Sequence, residues 1–158
     1  AASLKAAGKT LHDALESIFW QYGYHLEKQI SLTMPGSQGM RDMQTIMGRF
    51  RTAPPTSLGG TEVREVRDYQ ALTKIAATPH GWSAPQHFTG PHGEMVIVEL
   101  AQAGNYLAIR PSGTEPKIKF YTFSYEPPEL LGDLGETRAE LEKRIAGWER
   151  DLREYARL

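Results

Sequence analysis

Between Arg110 and Lys119 the chain gathers one guanidinium, two hydroxyl residues, a glycine and two ammonium groups: Arg110, Ser112, Gly113, Thr114, Lys117 and Lys119. These residue types suit a bound anion, above all a phosphate dianion. A guanidinium offers a planar fork that matches two phosphate oxygens. Ser112 and Thr114 each bring a rotatable hydroxyl donor. Gly113 permits backbone angles closed to other residues, so that successive N–H groups can point into one hollow. Lys117 and Lys119 lie two apart on a strand-like run, so both project to one side, with Ile118, Phe120 and Thr122 on the other. Arg110, Ser112, Thr114 and Lys119 then converge on one dianion. Each desolvated, charged hydrogen bond contributes about 1.5–3 kcal/mol. Only Glu115 opposes this, unless it faces away or bonds a sugar hydroxyl. Ser-Gly-Thr alone would be an ordinary turn; the whole string favours an anion site. It is not a nucleotide P-loop, because G-x-x-x-x-G-K-[ST] is missing and the run leads into a strand rather than a helix.

Other constellations carry less. His80, His87 and His92 match no metal-ligand spacing and are expected as ordinary loop histidines. "KIKFYTFSY" interleaves basic and aromatic residues in a way that suits base stacking, but core and edge packing is the simpler expectation. Spacing suggests no nucleophile–base pair. The methionines Met40, Met43 and Met47 read as gap-filling core.

Several elements must position the Arg110–Lys119 string. Thr10 can cap a helix, with Asp13 in a box-like spacing. Leu11, Leu15, Ile18, Phe19 and Tyr22 form its apolar stripe, and Gly23 stops it. Tyr24 to Met34 alternates as a strand. A second helix follows with Met40, Met43, Ile46, Met47 and Phe50 buried. "TAPPTSLGG" is a turn-rich connector, and "TEVREVRDY" a charged strand at or near an edge. Residues 70–92 are rich in Pro and Gly and read as a long surface loop. "GEMVIVEL" and "NYLAIR" make a hairpin, and "KIKFYTFSY" is the next strand. The last helix runs over 136–156 with Leu141, Ile145, Trp148, Leu152 and Tyr155 as its seam. Glu140–Arg144, Glu149–Arg153 and Arg150–Glu154 are spaced to pair along it. The order predicts an α+β fold, an antiparallel sheet of about four to five strands with helices on one face.

Composition bounds the function classes. The chain has 158 residues, 40% of them apolar, so a real core can form. A net charge of −1 lacks the basic balance of a nucleic-acid or membrane binder. There is no cysteine, hence no disulfide framework and no thiolate metal site. No run approaches the ~18 apolar residues of a membrane span, and no secretory signal is visible. The start, "AASLKAAGKT", lacks an initiator Met, which suggests a piece of a longer chain.

"RPSGTEPKIKFY" closely resembles the phosphate-binding signature in the last domain of the α-D-phosphohexomutases, the phosphoglucomutase/phosphomannomutase family. "GKTLHDALESIFWQYGYHLEKQISLTMPGSQGM" resembles the end of that family's third domain running into the fourth, and "FRTAPPTSLGGTEVREVRDY" the segment that follows in bacterial-type phosphoglucomutases. The resemblance implies a division at 1–24, the terminal helix of the third domain, and 25–158, a TATA-box-binding-protein-like fourth domain. It also implies an enzyme that interconverts hexose 1-phosphate and hexose 6-phosphate through a phosphoserine, with glucose 1,6-bisphosphate as activator or intermediate. Mg²⁺ would be held by aspartates outside this chain, which lacks both the serine motif and the metal loop. Arg110, Ser112, Gly113 and Thr114 match the clamp on the non-reacting phosphate. Lys119 matches a supporting basic position, and Lys117 does so less well. The implied partners are a hexose phosphate and the other domains of the same enzyme, with neither nucleic acid nor membrane, in the cytoplasm. Mannose, pentose or glucosamine phosphates remain alternative substrates, as does a stand-alone module for phosphosugars or single-stranded RNA.

Overall fold

The computed structural model describes residues 5–157. In chain order its elements are α1 (Leu11–Tyr22), β1 (Tyr24–Thr33), α2 (Gly39–Thr52), β2 (Ser57–Leu58), β3 (Thr61–Asp68), β4 (Thr73–Thr78), β5 (Gly81–Trp82), β6 (Gln86–His87), β7 (Val96–Leu100), β8 (Tyr106–Pro111) and β9 (Lys117–Glu126). A 3-10 turn (Pro128–Leu130) then leads to α3 (Leu134–Tyr155). The strands form one sheet in the order β1-β9-β8-β7-β3-β4-β5, with β2 against β3 and β6 against β4. Every pairing is antiparallel.

β9 alternates half-buried and buried residues along its whole length. That is the signature of a strand with one covered and one open face. Ile118 and Phe120 are fully buried, and they pair with Leu32 and Ile30 of β1 and with Pro111 and Ile109 of β8. The covering layer is α2 and α3. Phe50 of α2 meets the Phe120 ring edge-on at 5.9 Å and Tyr155 of α3 at 4.6 Å. Each such buried side chain contributes roughly 1.5–3 kcal/mol. The α+β reading, with these two helices on one face, holds.

The sheet is larger than expected, with nine strands rather than four to five. One extra strand, β2, falls in the turn-rich connector, and the other three, β4, β5 and β6, in residues 70–92, which read as a long surface loop. The prolines and glycines there punctuate short antiparallel turns; at the β4–β5 turn, Thr78 Oγ1 donates to the Gly81 carbonyl at 3.0 Å. β3, expected at or near an edge, is therefore not an edge strand: it pairs with β7 on one side and β4 on the other. Its charges are matched across the open face, where Lys74 Nζ lies 3.1 Å from Glu65 and Arg67 pairs with Glu65 and Glu99.

Of the pairs expected along α3, only Glu149–Arg153 forms, at 2.7 Å. Arg150 turns to Asp151. Arg144 leaves its helix neighbour Glu140 because a more buried carboxylate lies within reach. It donates to Glu126 at 2.8 Å, and to the Asn105 side chain and the Tyr125 carbonyl at 3.2 Å each. Asn105 is buried and also receives the Ser124 hydroxyl and the Tyr125 N–H. This network fastens α3 to the β7–β8 turn and the end of β9. Arg144→Ala would strand Glu126, and we expect a loss of about 2 kcal/mol. Urea unfolding of the chain is the check.

α1 carries the expected capping box, Asp13 N–H to Thr10 Oγ1 at 3.1 Å and Thr10 N–H to Asp13 Oδ2 at 2.7 Å. Gly23 follows at φ 88°, a backbone conformation that favours glycine. α1 buries none of its residues; Leu11, Leu15, Ile18, Trp20 and Tyr22 are all exposed. It touches the rest at the 3-10 turn and at the start of β1, where Phe19 stacks on Tyr24 at 4.1 Å, and Tyr125 Oη donates to the Tyr22 carbonyl. Residues 1–4 of the 1–24 segment, and Leu158 of 25–158, lie outside the described residues.

Candidate phosphate-binding site

The register of β8 and β9 sets Arg110 directly opposite Lys119. On the other side of Lys119 stands Ser31 of β1. All three are in phase with the open side of the sheet, so the alternation read from sequence holds. Two cations face to face across a ladder repel each other. Arg67, Lys74 and Lys117, on the same face, each have a carboxylate. Among the described residues, Arg110 and Lys119 have neither an ion pair nor a side-chain hydrogen bond.

The strands are joined by a loop over 112–116. The Ser112 N–H donates to the Lys117 carbonyl at 2.9 Å, and the Lys117 N–H to Glu115 O at 2.7 Å. The Met34 N–H, at the end of β1, donates to the Pro116 carbonyl at 2.8 Å. Ser112 is half-buried, whereas Gly113 and Thr114 are exposed at the tip. The register thus brings Arg110, Ser112, Lys117 and Lys119 to the ends of β8 and β9, with Thr114 exposed in the joining loop. Gly113 is a correction to the expectation: its φ is not left-handed, and a Cβ there would meet nothing within 4 Å. What glycine contributes at that point is open space rather than an unusual backbone.

Glu115 resolves the one opposing feature. Its carboxylate lies 2.5 Å from Lys117 Nζ. That hydrogen bond and charge, with a smaller pull from Lys119, hold its carboxyl below the usual range. Lys117 is thereby neutralised and Lys119 is left with its charge unmatched.

The base of the loop is tight at Gly39, the first residue of α2. A Cβ there would come within 2.8 Å of Pro116 Cβ and closer still to the Met34 carbonyl oxygen. Gly39→Ala should therefore cost about 1–3 kcal/mol and move the amide signals of 112–116, which an NMR spectrum of the chain would report.

A second wall was not visible in the sequence. Arg110 shares a cavity of about 220 Å³ with Tyr69, His92 and Glu94, on the segment before β7. The residues are far apart in the chain, and no motif joins them. The aromatic residues of "KIKFYTFSY" also depart from expectation. Phe120 is core, but Tyr121, Phe123 and Tyr125 fall on the open face, where Phe123 stacks on Tyr106 at 4.4 Å. His87 lies exposed in β6 and His80 in the β4–β5 turn. Among the described residues no group of three or more His, Cys, Asp or Glu is placed to hold a metal ion. No helix there is long and apolar enough to cross a membrane.

No protein-family model matches the chain. A phosphoglucomutase of Staphylococcus aureus (strain bovine RF122 / ET3-1) is 37% identical over 121 residues, covering 77% of this chain and 21% of the relative. A phosphoglucomutase of Staphylococcus haemolyticus is 35% identical over 121 residues, covering 75% of this chain and 21% of the relative. Among solved structures, the open form of the exocytosis-sensitive phosphoprotein pp63/parafusin, a phosphoglucomutase from Paramecium, aligns over 93% of this chain and 23% of its own. The TM-score is 0.50 at 15% identity, a likeness of fold. The chain belongs to the phosphoglucomutase family. It corresponds to the C-terminal region of such an enzyme and spans about a fifth (21%) of the length of the curated relatives it matches.

Proposed function

We propose that this chain is the substrate-phosphate clamp of a phosphoglucomutase, and that the whole enzyme interconverts glucose 1-phosphate and glucose 6-phosphate through a phosphoserine and a bisphosphate intermediate. The observation that carries this reading is the opposed, unmatched pair Arg110–Lys119 beside the Ser112–Thr114 loop. A dianion converts their mutual repulsion into two attractions. Arg110 grips two phosphate oxygens, Lys119 adds charge from the neighbouring strand, and the hydroxyls of Ser112 and Thr114 complete the shell. The open space at Gly113 lets the phosphate come close to the backbone. The clamp breaks no bond. It supplies binding and orientation remote from the reacting centre, which lowers the barrier at that centre. The sugar turns over between half-reactions, so the same clamp must accept either phosphate position. The name shared by the curated relatives favours glucose over mannose, pentose or glucosamine phosphates.

Among the described residues no group of His, Cys, Asp or Glu is placed to hold Mg²⁺; in our reading the ion and the phosphoserine belong to other domains. The exposed apolar stripe of α1 would then pack on the third domain, with the division near residue 24. We place the enzyme in the cytoplasm, with its hexose phosphate substrates.

The test is titration of the ¹⁵N-labelled chain with glucose 1-phosphate and then glucose 6-phosphate. Binding around millimolar, about 4 kcal/mol, with selective shifts at Ser112, Gly113, Thr114 and Lys119, is expected from both. The shifts should vanish in Arg110→Ala. No shifts at tens of millimolar of either sugar phosphate would remove the clamp reading for this chain. Within the same titration, Lys119→Ala should weaken binding more than Lys117→Ala, because Lys117 is spent on Glu115. The reverse order would show that the ion pair opens to the ligand.

A further inference from the structure

The cavity beside Arg110 has a built wall. Glu94 accepts from Arg51 Nη2 of α2 at 2.9 Å and from Gln70 Nε2 at 3.5 Å. Arg51 also reaches Asp68 at 3.4 Å, and Asp68 accepts the Gln70 N–H at 2.9 Å. The backbone is pinned as well, Tyr69 N–H to Met95 O at 2.9 Å and Gly93 N–H to Tyr69 O at 3.1 Å. Although held in this way, the Glu94 side chain stays 38% exposed.

A carboxylate is an acceptor only. Placed next to a phosphate grip, it repels a second anion and favours a hydroxyl donor. About 220 Å³ is less than the ~300–1,000 Å³ of a pocket that swallows a drug-sized ligand, and it suits one edge of a sugar ring. His92, exposed at the rim, can donate or accept. We propose that Glu94, with His92 at the rim, reads a sugar hydroxyl adjacent to the phosphate held by Arg110, which makes the 92–95 segment specificity-determining. This rests on the phosphate-clamp reading.

Two probes separate the two ideas. Inorganic phosphate should shift Ser112–Thr114 and Lys119 only. Glucose 6-phosphate should shift these and also the amides of His92–Met95. Glu94→Gln, which keeps shape and removes charge, should weaken glucose 6-phosphate at least about threefold while inorganic phosphate binds no more weakly than before. A merely structural role for Glu94 would change both affinities alike, and that result overturns the proposal. If Glu94→Gln disturbs the free spectrum, His92→Ala at the exposed rim provides the same comparison, with the same two outcomes. Sugar-phosphate shifts at the clamp but none at the wall overturn this inference and leave the clamp standing. Shifts at neither remove both.

Discussion

Arg110→Ala, made in a full-length phosphoglucomutase that contains this chain, should lower kcat/KM on the order of 10²-fold or more, equivalent to a few kcal/mol of lost transition-state stabilisation. Three features set that size. The guanidinium has no intramolecular partner among the described residues, so removing it leaves no protein carboxylate stranded and the loss falls on the ligand. Lys119 stands directly opposite and would retain part of the attraction, which bounds the effect from above. The planar fork is geometric as well as electrostatic, so Arg110→Lys should recover only a part. Steady-state kinetics in both directions is the measurement. An effect under about threefold would show that the phosphate is held elsewhere.

Trp148→Ala should destabilise the chain by about 3–5 kcal/mol, the usual range for truncating a fully buried large aromatic residue. Trp148 is wholly buried on α3. Gly59, at φ 56° after β2, lies so close that a Cβ there would come within 2.8 Å of Trp148 Cδ1. The indole thus packs where α3 meets the β2–β3 turn, beside the hydrogen bond from the Gly59 N–H to Asp151 Oδ2 at 2.7 Å, and a void there cannot close without moving one of the two elements. Its Nε1 is buried with no hydrogen-bond partner among the described residues. Trp148→Phe removes that unpaired donor along with some volume, so it should cost less than half as much. Chemical denaturation of the two variants decides this, and equal losses would mean that the nitrogen is satisfied in solution.

Much of this could be read from the chain because it is local. The helix boundaries at Thr10 and Gly23, the alternation of β9, and the common side of Lys117 and Lys119 follow from periodicity and capping chemistry over a few residues. The errors arose where tertiary context decides. Residues 70–92 look like loop because their prolines and glycines mark turns, yet the short runs between them find partners on β3. Glu140–Arg144 has ideal helical spacing, but a buried Glu126 outcompetes it. Gly113 permits a special backbone angle that the loop does not use, and its asset is empty space. In the site, Arg110, Ser112, Thr114 and Lys119 announced themselves by type and spacing. The wall with Glu94 did not, because it forms only when β3, α2 and the start of β7 converge.

β1 pairs with β9 along all of its length, Tyr24 with Glu126 and Thr33 with Lys117. The partners are separated by about a hundred residues, which makes this ladder a high-contact-order step with a large loop-closure cost. During synthesis at about 5–20 residues per second, β1 emerges several seconds before the strand that completes it. Lys119 lies on that late strand. The anion site therefore cannot be complete until β9 has been made, and until then β1 lacks the strand it pairs with.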